Sequence, residues 1–123
     1  MIASTGPVVV ADQLPDSYPT KKISLEYQAI YQKVNNEPAR GAFGPYAFDG
    51  WLVLLDSAKR ALASGAKPAT PEFRTALRDA LVTAKDVVGT HGVYNFHPGE
   101  SFGVDKRALV LVKLVDGKWK LVQ

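Results

Sequence analysis

Residues 44–65 read Gly-Pro-Tyr-Ala-Phe-Asp-Gly-Trp-Leu-Val-Leu-Leu-Asp-Ser-Ala-Lys-Arg-Ala-Leu-Ala-Ser-Gly, the longest apolar-rich segment of the chain. Pro45 falls where a first-turn proline is tolerated, because that backbone N–H lacks a helical partner anyway. Gly65 is placed as a left-handed cap, and Pro68 prevents the helix from resuming. Phe48, Trp51, Leu52, Leu55, Ala58 and Leu62 recur at steps of three and four, which predicts a helix with that stripe inward. Asp49, Asp56, Lys59 and Arg60 fall mostly on the other side, with Asp56 and Arg60 as a favourable i,i+4 pair. Val53 and Leu54 widen the apolar face, so neighbours are expected on more than one side. The segment reads as a central helix.

Working back from it, Glu37–Phe43 is a turn-rich connector. Before that, Ile23, Tyr27, Ile30, Tyr31 and Val34 form a helical stripe that opens at Thr20 as N-cap and ends near Asn35-Asn36. Residues 11–19 hold two prolines and two turn-forming acids and read as a loop. The run Val8-Val9-Val10 suits a strand or extended connector, and Pro7 should make that strand stop early or run at an edge.

Working forward, Thr70-Pro71-Glu72 supplies an N-cap, a first-turn proline and a first-turn acid. Phe73, Ala76, Leu77, Ala80, Leu81 and Ala84 then share one face, with Glu72, Arg74, Arg78, Asp79 and Lys85 outward, predicting a helix to about Lys85 or Asp86. Val93–Phe96 reads as a short strand before the turn His97-Pro98-Gly99-Glu100. Ala108–Val115 is apolar without clean alternation, as in a strand covered on both faces. Asp116-Gly117 links it to Lys118–Val122 and predicts a type I′ hairpin. The expected order is strand, three helices, short strand and hairpin, an α/β chain with too few strands for its helices. An opening strand with no earlier partner suggests a chain that begins mid-fold.

The 123 residues are 46% hydrophobic and 22% charged, a globular balance for one domain or part of a larger protein. No apolar run reaches the length of a membrane span. The N-terminus lacks the basic-then-apolar layout of a signal peptide. The net charge of +3 comes from scattered pairs such as Lys21-Lys22, Lys59-Arg60 and Lys106-Arg107, not from a stripe suited to nucleic acid. With no cysteine, disulfides and thiolate chemistry are excluded.

Candidate chemistry is sparse. His91, His97, Glu100 and Asp105 are the one cluster resembling a metal site, but His97 beside Pro98-Gly99 breaks the strand geometry that the pairing needs, so an ordinary surface turn is the better reading. Asp49 and Asp56 read as solvated charges rather than an acid–base pair. Ser4-Thr5-Gly6 offers hydroxyls after a strand, and Phe43, Tyr46 and Trp51 offer aromatics for a pocket wall or for the core. No phosphate-binding glycine loop or nucleophile elbow occurs. No catalytic residue, metal ligand or cofactor is assigned.

Taken in order, these segments resemble the C-terminal third of a type I periplasmic solute-binding protein, nearest the branched-chain amino-acid (Leu/Ile/Val) binding family of ABC transporters. The residues that carry the resemblance are Pro-Tyr-Ala-Phe-Asp-Gly-Trp-Leu at 45–52, Phe-Arg-Thr-Ala-Leu-Arg-Asp-Ala-Leu at 73–81, the 88–100 segment, similar to a G-x-x-G-x-x-x-F-[DN]-x-x-G signature, and the 108–122 hairpin. His97 departs from the Asp or Asn usual at that turn. The resemblance implies two lobes with ligand between them. Residues 1–10 would be the last strand of the second lobe before a crossing, 20–97 first-lobe helices and strand, and 106–123 the second-lobe hairpin. It implies a non-enzymatic, periplasmic or otherwise extracytoplasmic protein that binds an amino acid or small carboxylate for a permease. Phe43 and Tyr46, then Ser4 and Thr5, are the implied ligand contacts. As an isolated chain it is expected to bind ligand incompletely and to form a homodimer or swapped assembly. The alternatives are a ligand-sensing domain, a small intact interaction or dimerisation domain, and a metal-dependent hydrolase using His91, His97 and Glu100.

Overall fold

A computed structural model describes residues 1–122. Strand β1 (Ile2–Thr5) leads into a 3₁₀ segment (Pro7–Gln13), helices α1 (Lys21–Asn35), α2 (Phe43–Ala63) and α3 (Pro71–Leu81), strands β2 (Val87–Val88) and β3 (Val93–Tyr94), and hairpin β4 (Val110–Val115) and β5 (Lys118–Leu121). Two antiparallel sheets result. One has the order β1-β4-β5, with Ala3 opposite Val112 and Leu114 opposite Trp119; the other is the β2–β3 ribbon. The architecture is mixed α/β.

Local chemistry accounts for several boundaries. Thr70 accepts from the Phe73 N–H at 3.1 Å and caps α3, with Pro71 in the first turn. Gly65, at φ +87°, turns the chain left-handed just past α2. Asp116 and Gly117 have φ of +48° and +74°, the two positive values that a type I′ turn demands. Around Pro98-Gly99, Glu100 N–H donates to the His97 carbonyl at 2.9 Å and closes the expected turn.

The N-terminal run departs from its strand reading. Pairing stops at Thr5, and Pro7 opens a 3₁₀ segment in which Val8, Val10 and Ala11 are buried. Proline supplies no ladder donor, while burial of the valines favours the turn. This segment forms a small core with α1 and β5: Gln28 Nε2 donates to the Val8 carbonyl, and the Gln13 amide bridges to the backbone of Trp119 and Leu121.

Four further expectations are corrected. Helix α2 buries Pro45, Asp49, Val53, Ser57 and Ala61 rather than the Phe48–Leu62 stripe, and Trp51 is 54% exposed. Small side chains on the buried row let α3 approach closely, and Arg60 spans the contact by donating to Asp56, Thr83 and the Ala80 carbonyl. On α1, Ser24 is the buried residue; Ile30 and Val34 are exposed and line, with Tyr27, Tyr31 and Phe48, an open apolar groove of about 210 Å³. Strand β4 is fully buried only at Val112 and half-buried at Val110; Leu111 lies on the opposite, open face, and Leu114 shares the Val112 face but sits beyond its cover near the hairpin turn. Finally, α3 stops at Leu81, where the chain turns so that Ala84 is buried and accepts from Phe96 N–H.

Thr20 occupies the α1 N-cap position but contributes only its carbonyl, which accepts from Ser24 N–H. The β3 strand is limited to Val93–Tyr94, since Asn95 N–H pairs instead with the Gly103 carbonyl. The α3 face itself is as the pattern predicts, with Ala80 buried, Phe73, Ala76 and Leu77 half-buried, and its charges in solvent.

Candidate functional site

The most constrained polar group is Asp49, on the buried row of α2 and 1% exposed. One carboxylate oxygen accepts from Thr90 N–H at 2.6 Å; the other accepts from His91 N–H at 2.8 Å and from the Tyr94 hydroxyl at 2.9 Å. A charge removed from water is tolerated only when its lone pairs are satisfied, and three donors do this here. Gly89 is required by the same approach, since a β-carbon there would lie 2.5 Å from the Asp49 carboxyl carbon. The solvated-charge reading of Asp49 is therefore corrected, whereas Asp56 keeps it, paired at the half-exposed surface with Arg60.

This clamp sets the surroundings of two aromatic groups. His91 meets Tyr46 edge-on, with ring centroids 4.4 Å apart and planes at 89°. Burial lowers the His91 pKa, with the negative Asp49 opposing it, so the ring is held toward its neutral form. Burial raises the Tyr46 and Tyr94 pKa values, reinforced in both by Asp49. The Tyr46 hydroxyl lies against the Gly6 backbone, so tightly that a β-carbon on Gly6 would overlap it. Tyr46 thus joins α2 to the point where β1 gives way to the 3₁₀ segment.

Beside this junction is a cleft of about 300 Å³ whose walls include Ser4 and Thr5 of β1, Gly41 and Ala42 before α2, and Val112 and Trp119 of the hairpin. The four residues singled out in the sequence are thereby placed. Ser4 and Thr5 line the cleft. Phe43, the first residue of α2, follows directly on its Gly41–Ala42 wall and is 90% exposed. Tyr46 lies one helical turn on, against Gly6. Sequence reasoning missed the structural part of Asp49 and His91; the spacing of Pro45, Asp49, Val53, Ser57 and Ala61 at intervals of four was the available signal.

His91 and His97 are not brought into a common set. His91 packs on Tyr46, while His97 sits in the exposed turn and, with Val53, Leu81 and Phe96, borders a separate apolar pocket of about 470 Å³. Among the described residues no group of three His, Cys, Asp or Glu side chains converges as a metal set, and no helix is long and apolar enough to cross a membrane.

The architecture is that of one portion of an extracellular ligand-binding receptor fold. An extracellular ligand-binding receptor from Rhodopseudomonas palustris HaA2 superimposes with a TM-score of 0.90 at 36% sequence identity, over 100% of this chain and 34% of that one. Another such receptor from Rhodopseudomonas palustris gives 0.89 at 33% identity over 100% and 34%, and a second from strain HaA2 gives 0.85 at 30% over 98% and 33%. The chain therefore spans about a third of the length of the solved structures it matches. No family model and no curated protein matches.

Proposed function

We propose that this chain is the C-terminal third of an extracytoplasmic, non-enzymatic solute-binding protein of the type I periplasmic class, within the branched-chain amino-acid binding family that serves ABC import. The observation that carries the reading is a TM-score of 0.90 at 36% identity sustained over the whole chain. On this reading β1, β4 and β5, which share one sheet, belong to the second lobe, while residues 20–97 belong to the first. The Gly6–Tyr46 contact then lies where the chain passes between lobes. The ligand is an amino acid or related small carboxylate. Ser4 and Thr5 offer it hydroxyl donors, and Phe43 and Tyr46 an aromatic wall.

The exposed apolar faces support the same reading. Ile30 and Val34 on α1, Trp51 on α2, and Leu111 and Leu114 on β4 are surface that a receptor three times as long has the material to cover. The test joins gene and protein. An in-frame coding sequence supplying the other two thirds of such a receptor is expected upstream. The assembled receptor is then titrated calorimetrically with leucine, valine and aromatic amino acids, and Ser4→Ala and Phe43→Ala are expected to weaken binding at least several-fold. Absence of any receptor coding sequence, or wild-type affinity in both variants, would overturn the respective part of the proposal.

A further inference from the structure

We infer that Asp49 is a positioning residue for the cleft, acting through His91 and Tyr46 on the end of β1; calling that cleft a ligand site rests on the function proposed above. The route is continuous in the structure. The buried carboxylate holds Thr90 N–H, His91 N–H and the Tyr94 hydroxyl. Holding the His91 N–H places its α- and β-carbons, and from there the imidazole stands at a right angle to the Tyr46 ring with centroids 4.4 Å apart. Tyr46 is one turn before Asp49 on the same helix, and its hydroxyl reaches the Gly6 backbone. Gly6 adjoins Thr5, which with Ser4 lines the cleft.

Each step lacks slack. Gly89 has no room for a β-carbon beside the carboxylate, and Gly6 has none beside the Tyr46 hydroxyl. A displacement of the 89–91 turn is therefore passed on through direct contact between the half-buried His91 and Tyr46 rings. Asp49 does not itself line the cleft; its influence there is indirect.

The experiment is backbone and side-chain NMR of the 123-residue chain, which needs no ligand and so stands apart from any failure of the binding proposal. Asp49→Asn is expected to shift the Thr90 and His91 amides and, beyond them, the Tyr46 ring and the Gly6, Thr5 and Ser4 amides. His91→Ala, which leaves the carboxylate and its backbone donors in place, is expected to move the Tyr46, Gly6 and Thr5 signals while Thr90 stays near its wild-type position. Tyr46→Phe should reproduce the Gly6 shift alone, and adding Asp49→Asn to it should move Gly6 by less than the sum of the two. The inference is overturned if His91→Ala leaves Gly6 and Thr5 unmoved, or if the double variant is additive at Gly6. Should Asp49→Asn not fold, Asp49→Glu, which keeps the charge and displaces the carboxylate by one methylene, takes its place in each comparison, and unmoved Gly6 and Thr5 signals in it overturn the inference.

Discussion

Replacing Asp49 with alanine removes the acceptor for three donors at once, and its cost can be worked from the structure. Two of the donors are backbone N–H groups, of Thr90 and His91, and the third is the Tyr94 hydroxyl. A hydrogen bond to a charged acceptor contributes about 1.5–3 kcal/mol net, and a buried donor left unmet costs about 1–3 kcal/mol. The half-exposed His91 and Tyr94 can regain water once the carboxylate is gone, whereas Thr90 is fully buried. Taking the full cost at Thr90 and partial costs at the other two, Asp49→Ala should lose about 3–5 kcal/mol, a large share of the 5–15 kcal/mol typical of a domain. Asp49→Asn retains one carbonyl acceptor but turns an NH₂ toward an N–H donor, and should lose about 2–3 kcal/mol. Tyr94→Phe removes one donor and leaves the carboxylate its two N–H partners, so about 1 kcal/mol is expected. Urea unfolding followed by far-ultraviolet circular dichroism measures all three, with equal slopes required for comparison. A loss under about 1 kcal/mol for Asp49→Ala, or a Tyr94→Phe loss as large as that of Asp49→Ala, would refute the assignment of Asp49 as the satisfied centre of this turn.

Other outcomes follow from separate parts of the molecule. Gly117→Ala should cost about 1 kcal/mol, since its φ of +74° is uncongenial to a side chain, while Asp116→Asn should be nearly neutral; the same urea titrations read both. Arg60→Lys should lose about 1–2 kcal/mol, nearly as much as Arg60→Ala, because a lysine cannot reach Asp56, Thr83 and the Ala80 carbonyl together. The folded chain holds His91 below the ordinary imidazole value of 6.5 that the unfolded chain retains. The unfolded state therefore binds more protons between the two values, and stability should fall as pH drops through 6.5 and be unaffected above it. Comparing unfolding midpoints at about pH 8 and about pH 5, His91→Phe should remove that part of the loss while keeping the ring contact with Tyr46. With Ile30, Val34 and Trp51 exposed, the isolated chain should self-associate, and light scattering after size exclusion should give at least a dimer mass at micromolar concentration; a monomer throughout would refute this.

What was legible in the sequence was local. The hairpin could be read because Asp116-Gly117 determines its own turn, and α3 because its inward row is apolar and its outward row charged along the whole length. Thr70 capped as expected because its extended backbone, at ψ 156°, brings the hydroxyl to Phe73 N–H, which Thr20, already helical at ψ −6°, does not do for α1. The Val8–Val10 run misled, since β-branched composition favours a strand while Pro7 and burial among α1 and β5 favour a 3₁₀ turn. Strand β2, two residues long, has too little pattern to be seen at all. Of the four residues singled out, Ser4 and Thr5 share one cleft, Tyr46 touches Gly6 beside it and Phe43 is 90% exposed, and nothing in their spacing shows the Tyr46–Gly6 contact.

Helix α2 shows why the remainder was hidden. Apolar periodicity locates the side of a helix with the most greasy surface, and for α2 that side carries Phe48, Trp51, Leu55 and Leu62. Contact within this chain selects another side, where Pro45, Asp49, Val53, Ser57 and Ala61 are small or hydrogen-bonded enough to admit α3 and the 89–91 turn. Asp49 and Asp56 are indistinguishable by spacing, seven apart on one helix; what separates them is a turn some forty residues later that offers donors to one and none to the other. The two sides of α2 therefore answer to different partners. Its small-residue side is satisfied by this chain; on its large-residue side Phe48 meets Tyr27 of α1, while the exposed Trp51 and Leu62 fit the additional receptor chain that the proposed function requires. On that account covering Trp51 and Leu62 would leave the Asp49 clamp unchanged, so the hydrogen bonds around the 89–91 turn should be the same in the isolated chain and in the whole receptor.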